Sequence, residues 1–257
     1  LALSPRAAKL SVMNTIVRLL LVTVSLSLGA CASVPEAQRV EHDPWEPLNR
    51  TIYGFNTGLD KVTTRPLAKG YRAVMPSPVR KGVSNFFTNL TKPRSIVNNF
   101  LQGKPGRGFS ETGRFLLNST IGIGGLFDVA TAGGMEEYPE DFGQTFAVWG
   151  MPDGPYVMLP FMGPKTLRGV VAMPLDFLAR PLYHYENTSV RDKLTVLSVI
   201  DLRYRLLATD KLIEDSKSPY VTLRESYLQN REYEIYDGYP PEDDEFFDEF
   251  LEEDEDY

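Results

Sequence analysis

Apolar side chains recur at Trp45, Leu48, Ile52, Phe55, Leu59 and Val62, three or four residues apart. That spacing predicts one apolar helical face, with Asn49, Arg50, Asn56 and Asp60 on the opposite side. Pro66 and Pro76 punctuate the next stretch, and Ser77-Pro78 reads as an N-cap followed by proline at the first helical position. The helix so opened carries Val79, Val83, Phe86, Phe87 and Leu90. Pro93 is expected to open another, with Ile96, Val97, Phe100 and Leu101, closed by Gly103. A fourth helix is expected around residues 108–118, with Phe109, Phe115, Leu116 and Leu117. Two more are predicted over residues 188–215 (Val190, Leu194, Leu197, Ile200, Tyr204, Leu207, Ile213) and 219–236 (Tyr220, Leu223, Tyr227, Leu228, Ile235). Neither a clear alternating strand nor an internal repeat is visible, so the fold class is mainly α.

Two stretches break the helical texture. Residues 120–134 hold five glycines and neither Lys nor Arg, too glycine-rich for a stable solvent-exposed helix. Residues 154–164 are apolar and bracketed by Gly-Pro pairs, which predicts an extended or looped path. The glycine-rich segment has two readings: a set of tight internal turns, or backbone lining a lipid-contacting or channel surface. Irregular backbone at membrane depth must be buried in protein or face a watered cavity.

The start of the chain has a different pattern. Arg6, Lys9 and Arg18 precede a run of small and apolar residues from Leu19 to Ala30. Twelve residues span ~18 Å as a helix, short of a ~30 Å hydrocarbon core, and fit a signal-peptide h-region. The run ends Leu28-Gly29-Ala30-Cys31, the pattern of a bacterial lipobox. Small residues let the peptidase approach the backbone, and the thiol is the nucleophile for a thioether to diacylglycerol. Cys31 is the single cysteine of the 257 residues. The expectation is a mature protein beginning at Cys31, carrying diacylglycerol and an N-acyl chain, with residues 1–30 removed. Met13 makes a compact signal peptide by itself, so residues 1–12 read as a mis-called start. Ala32 follows the cysteine rather than the Asp that commonly retains lipoproteins in the inner membrane, so the outer membrane is the expected destination. Residues 31–43 read as a tether, and 44–237 as the helical domain.

Charge refines the picture. The formal net charge is −7, but residues 232–257 hold 14 acidic residues and no Lys or Arg. The rest has 27 basic residues against 20 acidic, a mildly basic body with an acidic tail at 238–257. With residues 1–30 removed, the body to Arg231 keeps a net +4, compatible with resting beside anionic head groups. A tail of that composition reads as solvated and disordered, although Phe246, Phe247, Phe250 and Leu251 also suit a segment that docks on a basic, apolar groove. A nucleic-acid partner is not expected. One cysteine excludes an intramolecular disulfide and a CxxC metal site, and His42 and His184 are the two histidines.

Catalytic chemistry finds little support. A Gly-x-Ser-x-Gly elbow, a phosphate-binding loop and HExxH are all missing, and Gly122-Ile-Gly124-Gly-Leu-Phe127 departs from a dinucleotide fingerprint. His184 is the one plausible base and reads better as an aromatic-packed or surface histidine. Glu136, Glu137, Glu140 and Asp141 cluster, and adjacent loop carboxylates are expected to be solvated. No enzyme activity, metal or cofactor is expected.

Six collinear blocks then carry a resemblance. They are Asp43-Pro-Trp-Glu-Pro-Leu-Asn-Arg50 with Tyr53-Gly-Phe-Asn56, the stretches 83–90, Asn98-Asn-Phe-Leu-Gln-Gly103, 114–128, 140–150 and 154–164. Together they resemble the MlaA (VacJ) family of outer-membrane lipoproteins, in order from about Asp43 to Tyr236. The resemblance implies a ring- or doughnut-like arrangement of amphipathic helices embedded in the inner leaflet of the outer membrane around a central channel. It implies a trimeric porin as partner, and phospholipids mislocalised in the outer leaflet as cargo. A periplasmic phospholipid carrier of the Mla system takes them on, which keeps the membrane asymmetric. By the same resemblance Phe55 and Asn56 are expected near the channel, and Gly122, Gly124, Gly125 and Phe127 at its rim. A porin-associated structural or adaptor lipoprotein without lipid passage is the alternative, and an envelope phospholipase is the least supported.

Overall fold

The computed structural model describes residues 43–241. The expectations for Leu28, Gly29, Ala30 and Cys31, for the tether up to residue 42 and for the tail from residue 242 lie outside them. From Trp45 onward the described residues form one unit. Helix α1 covers Glu46–Val62, with Pro47 in its first turn, where a missing N–H costs nothing. Helix α2, Thr64–Val74, follows at once, so Pro66 opens a helix rather than interrupting one.

Helix α3 runs unbroken from Ser77 to Leu101, through Pro93. This corrects the expected two helices. Proline removes one intrahelical hydrogen bond, but Lys92 and Ser95, on either side of it, are buried and held by partners on other elements. Ser77 is also no cap: Pro76 stands at the cap position without a side-chain bond. Gly103, at φ +73°, ends the segment as expected. Helix α4 is Pro105–Thr120, and the short α5 is Val129–Ala132. Helix α6, Phe142–Val148, starts in a capping box in which Asp141 and Gln144 exchange side chain-to-backbone bonds.

Strands β1, Tyr156–Leu159, and β2, Gly163–Thr166, pair antiparallel with Tyr156 opposite Thr166 and Leu159 opposite Gly163. The extended path expected for residues 154–164 is therefore a hairpin, and its four-residue strands, β2 with Gly163 and Pro164, are too short to show a clear alternation. Helix α7, Leu167–Leu178, is a further element the periodicity missed. It is capped by Thr166, whose hydroxyl accepts from the Gly169 N–H at 3.2 Å, and it passes through Pro174. A 3₁₀ turn, Pro181–His184, leads to α8, Thr188–Leu206, and the short α9, Asp210–Glu214. The single helix expected over 188–215 breaks there because Asp210 turns back to meet Arg65 and Arg203, at 2.8 and 2.9 Å. Helix α10, Pro219–Ile235, matches its prediction.

Burial is inverted relative to a water-soluble bundle. Among the described residues, seven hydrophobic side chains are buried, three of them alanines, against seventeen polar or charged ones. One apolar cluster, Tyr156, Met158 and Tyr220 with Ile52, Tyr53 and Leu223 packed around it, joins α1, β1 and α10. The α3–α4 contact is polar instead. Asn89, Lys92, Ser95 and Asn99 line one face of α3, and Gly108, Glu111, Arg114 and Asn118 line one face of α4. Steps of three and four residues put each set in a single stripe. The Lys92 ammonium meets Glu111 at 2.9 Å, with both side chains almost fully removed from solvent, and also pairs with Glu137.

Breaking a buried ion pair from one side leaves an uncompensated charge, at a cost of about 3–5 kcal/mol. Glu111→Leu is therefore expected to lower the melting temperature of the purified protein strongly. Lys92→Met combined with Glu111→Leu is expected to recover a large part of that loss. Additive losses in the double variant would show that the two charges act independently.

Candidate functional site

The first expected site residues lie on α1. Asn56 donates from Nδ2 to the Leu159 carbonyl at 2.9 Å and accepts from the Phe161 N–H at 2.9 Å. Two turns earlier, Asn49 does the same to β1: it donates to the Tyr156 carbonyl at 3.0 Å and accepts from the Met158 N–H at 2.8 Å. A side-chain amide carries the same donor and acceptor as a peptide group, so these two residues treat β1 as a neighbouring strand would. Phe55 projects beside them, half exposed, edge-on to Phe161 at 5.4 Å between ring centres. Phe55 and Asn56 are thus brought to the hairpin.

Gly122, Gly124, Gly125 and Phe127 are brought together in a series of turns after α4. Gly125 N–H donates to the Asn118 carbonyl at 2.7 Å, Gly124 N–H to Ser119 at 2.9 Å, and Phe127 N–H back to Gly122 at 2.9 Å. Gly124 and Gly125 have φ of +68° and +92°, and Ile123 between helix and turn is also left-handed at +54°. A Cβ on Gly122 would fall 2.2 Å from the Phe127 carbonyl oxygen, and one on Gly125 would fall 2.6 Å from Asn89. The tight-turn reading accounts for these glycines. Their surroundings are not watery in character, however: Ile121, Ile123, Leu126 and Phe127 all project outward.

Inside this turn lies a web of polar groups that the sequence did not announce. Arg114 holds Thr131 at 2.9 Å, both Asp128 oxygens at 3.3 Å and the Met135 carbonyl. Asn118 donates to Asp128 and accepts from the Ala130 N–H, each at 2.9 Å. The hydrogen bonds from Thr131 and Asn118 and the charge of Arg114 outweigh the upward push of burial and hold the Asp128 carboxyl below its ordinary pKa. Glu111 accepts from the Tyr138 N–H at 2.6 Å, and Asn99 donates to the Tyr138 carbonyl at 3.0 Å.

Of the carboxylate cluster expected to be solvated, Glu136 and Glu137 are exposed, whereas Glu140 is buried and Asp141 half-buried. Glu140 is 3% exposed and takes bonds from Gln102 at 2.8 Å and Lys104 at 3.1 Å. Asp141 accepts two bonds from Arg231, at 2.9 and 3.0 Å, and Glu137 meets Lys92. Their cationic partners, Lys92 on α3, Lys104 just before α4 and Arg231 on α10, are out of reach of any sequence-local reading. His184 sits at the end of the 3₁₀ turn with Nε2 2.7 Å from the Leu178 carbonyl. Among the described residues, no group of His, Cys, Asp and Glu forms a metal-binding cluster.

The outer surface has the complementary chemistry. Phe109, Leu116, Ile121, Ile123 and Phe127 are exposed around α4 and its turn, and Phe100, Leu101 and Trp149 lie exposed nearby in sequence or structure. Exposed apolar surface of this extent marks a protein or membrane contact rather than a face for water. Among the described residues, no helix is long and apolar enough to cross a membrane. The fold thus places paired charges inside and aromatic and aliphatic side chains outside.

The MlaA lipoprotein family matches residues 41–234, three quarters of the chain. The chain belongs to the MlaA lipoprotein family. A protein of Shigella flexneri named intermembrane phospholipid transport system lipoprotein MlaA is 39% identical over 210 residues, 80% of this chain and 83% of that one. One of the same name from Haemophilus influenzae is 29% identical over 222 residues, 83% of this chain and 88% of that one. A solved structure described as the structural basis for maintenance of bacterial outer membrane lipid asymmetry is similar with a TM-score of 0.67 at 40% identity. The match covers 75% of this chain and 98% of that one. The family resemblance drawn from the six blocks therefore holds, and the mainly α class with it. Within this MlaA fold the glycine turns and the two asparagine clamps are the local devices that shape the expected site.

The turn glycines give a graded test. Gly124→Ala has open space but a left-handed φ, which costs roughly 1–2 kcal/mol for an L-residue. Gly122→Ala and Gly125→Ala add close contacts and are expected to melt lower than Gly124→Ala. Equal melting temperatures for the three would count against the packing described. Asp141 supplies a pH test. Burial raises its pKa, but Arg231 more than offsets this and holds it at about 2, below the ordinary 3.8. A depressed carboxyl stabilises the fold above its unfolded pKa, so thermal stability is expected to fall as pH drops from about 4 to 2. Arg231→Met should flatten that part of the profile.

Proposed function

We propose that this MlaA family member is a lipid-anchored protein of the Gram-negative outer membrane that takes mislocalised phospholipids from the outer leaflet and passes them to a periplasmic carrier. The observation that carries the reading is the inverted burial: charged and amide side chains inside, aromatic and aliphatic side chains outside. A phospholipid crossing a leaflet must keep its head group out of hydrocarbon, since an unpaired charge there costs several kcal/mol or more. Helices with apolar outer faces, set in the periplasmic leaflet around a polar lumen, lower that cost while acyl chains follow apolar walls. The names of the relatives, with their phospholipid transport system, support the same cargo.

In this mechanism the chain moves lipid and breaks no bond. Phe55 and Asn56 stand where α1 meets the hairpin, near the passage, and the turn of Gly122, Gly124, Gly125 and Phe127 forms its rim. Cys31 carries the diacylglycerol and N-acyl chain, and residues 1–30 are removed as signal peptide. Each buried CH₂ contributes ~0.8 kcal/mol to membrane attachment, so three chains make a durable anchor. A trimeric porin holds the protein in the leaflet, and the acidic tail is available to the carrier.

The test is deletion of the gene followed by chemical labelling of phospholipid on the cell surface. Surface phospholipid is expected to rise, and to return to normal with the intact chain. Cys31→Ser is expected to lose incorporation of labelled palmitate and to restore asymmetry poorly. Unchanged surface phospholipid in the deletion, with the protein copurifying with porin from the parent strain, would favour the adaptor role instead.

A further inference from the structure

A second polar cluster lies where α3, α6, β2, α7 and α10 converge, and it has more cationic groups than partners. Gly143 on α6 and Gly169 on α7 cross there: a Cβ on Gly143 would lie 3.8 Å from the Gly169 Cα and 2.9 Å from Arg231 Nη2. A Cβ on Gly169 would lie 3.6 Å from Lys165 Cδ. The two glycines leave the crossing to the stem of Lys165 and to the Asp141–Arg231 pair. Asp176, one helical face along α7, accepts from the Phe142 N–H at 3.2 Å and meets Arg94 only at 3.8 Å.

Arg231 is satisfied by Asp141 and Glu234. The others are not. The Nε atoms of Arg94 and Arg180 are buried without a hydrogen-bond partner. Among the described residues, Lys165 and Arg180 have no carboxylate within ion-pair distance, and Arg180 rests on the Phe177 ring at 5.5 Å. Arg94 lies in the electrostatic reach of both. Burial, then the neighbouring Arg231, lowers the Lys165 pKa, and burial, then Arg94, lowers that of Arg180. Cationic groups withdrawn from water with so few carboxylate partners are a place for an anion.

The surface beside the cluster says which anion. On α7, Arg168, Ala172 and Asp176 face inward at four-residue steps, while Leu167, Val171, Leu175 and Leu178 form an exposed apolar stripe. Positive charge beneath an outward apolar stripe matches a phosphate joined to acyl chains.

We propose that Arg94, Lys165 and Arg180 form a binding site for the phosphate group of a phospholipid, with the acyl chains lying along the apolar stripe of α7. The site rests on the transport reading, since it gives the cargo a head-group station inside the fold. The guanidinium groups supply paired N–H donors and Lys165 a point charge, so the site recognises the phosphate common to phospholipids and leaves the rest of the head group unread.

The test uses the purified full-length protein with Lys165→Met, Arg180→Met, or both, and Arg205→Gln as a control at an exposed cation elsewhere. Binding of short-chain phosphatidylglycerol and of short-chain diacylglycerol is measured, together with the shift in melting temperature on replacing chloride by inorganic phosphate at equal ionic strength. Each single variant is expected to bind phosphatidylglycerol about tenfold more weakly, as for loss of a charge-assisted hydrogen bond. The double variant should fall further, while diacylglycerol binding and the Arg205→Gln control stay at the parent level. The melting temperature of Lys165→Met without ligand should equal or exceed that of the parent, because the charge removed has no partner. Parent-level phosphatidylglycerol binding in the double variant would overturn the site. If the parent binds no phospholipid but phosphate raises its melting temperature and not that of the double variant, the anion site stands and the transport reading fails. If neither ligand separates parent from double variant, the site itself is wrong.

Discussion

The ion pair between Lys92 and Glu111, buried across the α3–α4 contact, is the constraint around which the rest is arranged. Two charges removed from water are tolerated only when every remaining donor and acceptor is occupied. Glu111 therefore also takes the Tyr138 N–H, and Lys92 also takes Glu137, which draws the segment after α5 against the helix pair. Asn99, Ser95 and Gln102 continue the seam toward Glu140, and Arg114 and Asn118 continue it toward Asp128. The loops are held by electrostatics rather than by apolar packing.

That choice of glue explains why the surface can be greasy. A protein whose helices cohere through buried amides and charges does not need its leucines and phenylalanines inside, and it can offer them to lipid. The same choice keeps polar groups available in the interior, which a lipid head group needs. At the cation-rich crossing of Gly143 and Gly169, Lys165 and Arg180 have no carboxylate within ion-pair distance among the described residues, and such a mismatch is what distinguishes a binding site from structural cement.

Helix α10, the apolar period of α1 and the Gly103 stop were all legible, because they follow from local spacing and backbone freedom. The extended path at 154–164 was legible too, but its pairing as a hairpin was not, since β1 is held by Asn49 and Asn56 from more than a hundred residues away. Pro93 misled for the same reason: its local penalty is real, and contacts made by Lys92 and Ser95 with distant segments overcome it. The ion pairs of Glu137, Glu140 and Asp141 were not legible because their partners, Lys92, Lys104 and Arg231, are remote in the chain. Of the candidate site, the glycine turn was readable as a turn, and the polar web behind it was not.

By itself the sequence determined helices α1, α4 and α10, the turn glycines, the cysteine placed after a short apolar run, and the six blocks that carry the family likeness. It could not determine which face of each helix is inside. A period of 3.6 residues separates an apolar face from a polar one, but the pattern is the same whether the apolar face meets a core or a lipid leaflet. Only the tertiary contacts, Lys92 on Glu111 and Arg114 on Asp128, decide that the polar faces turn inward. The reason is energetic: charges brought together must be paired with partners that the fold alone assembles.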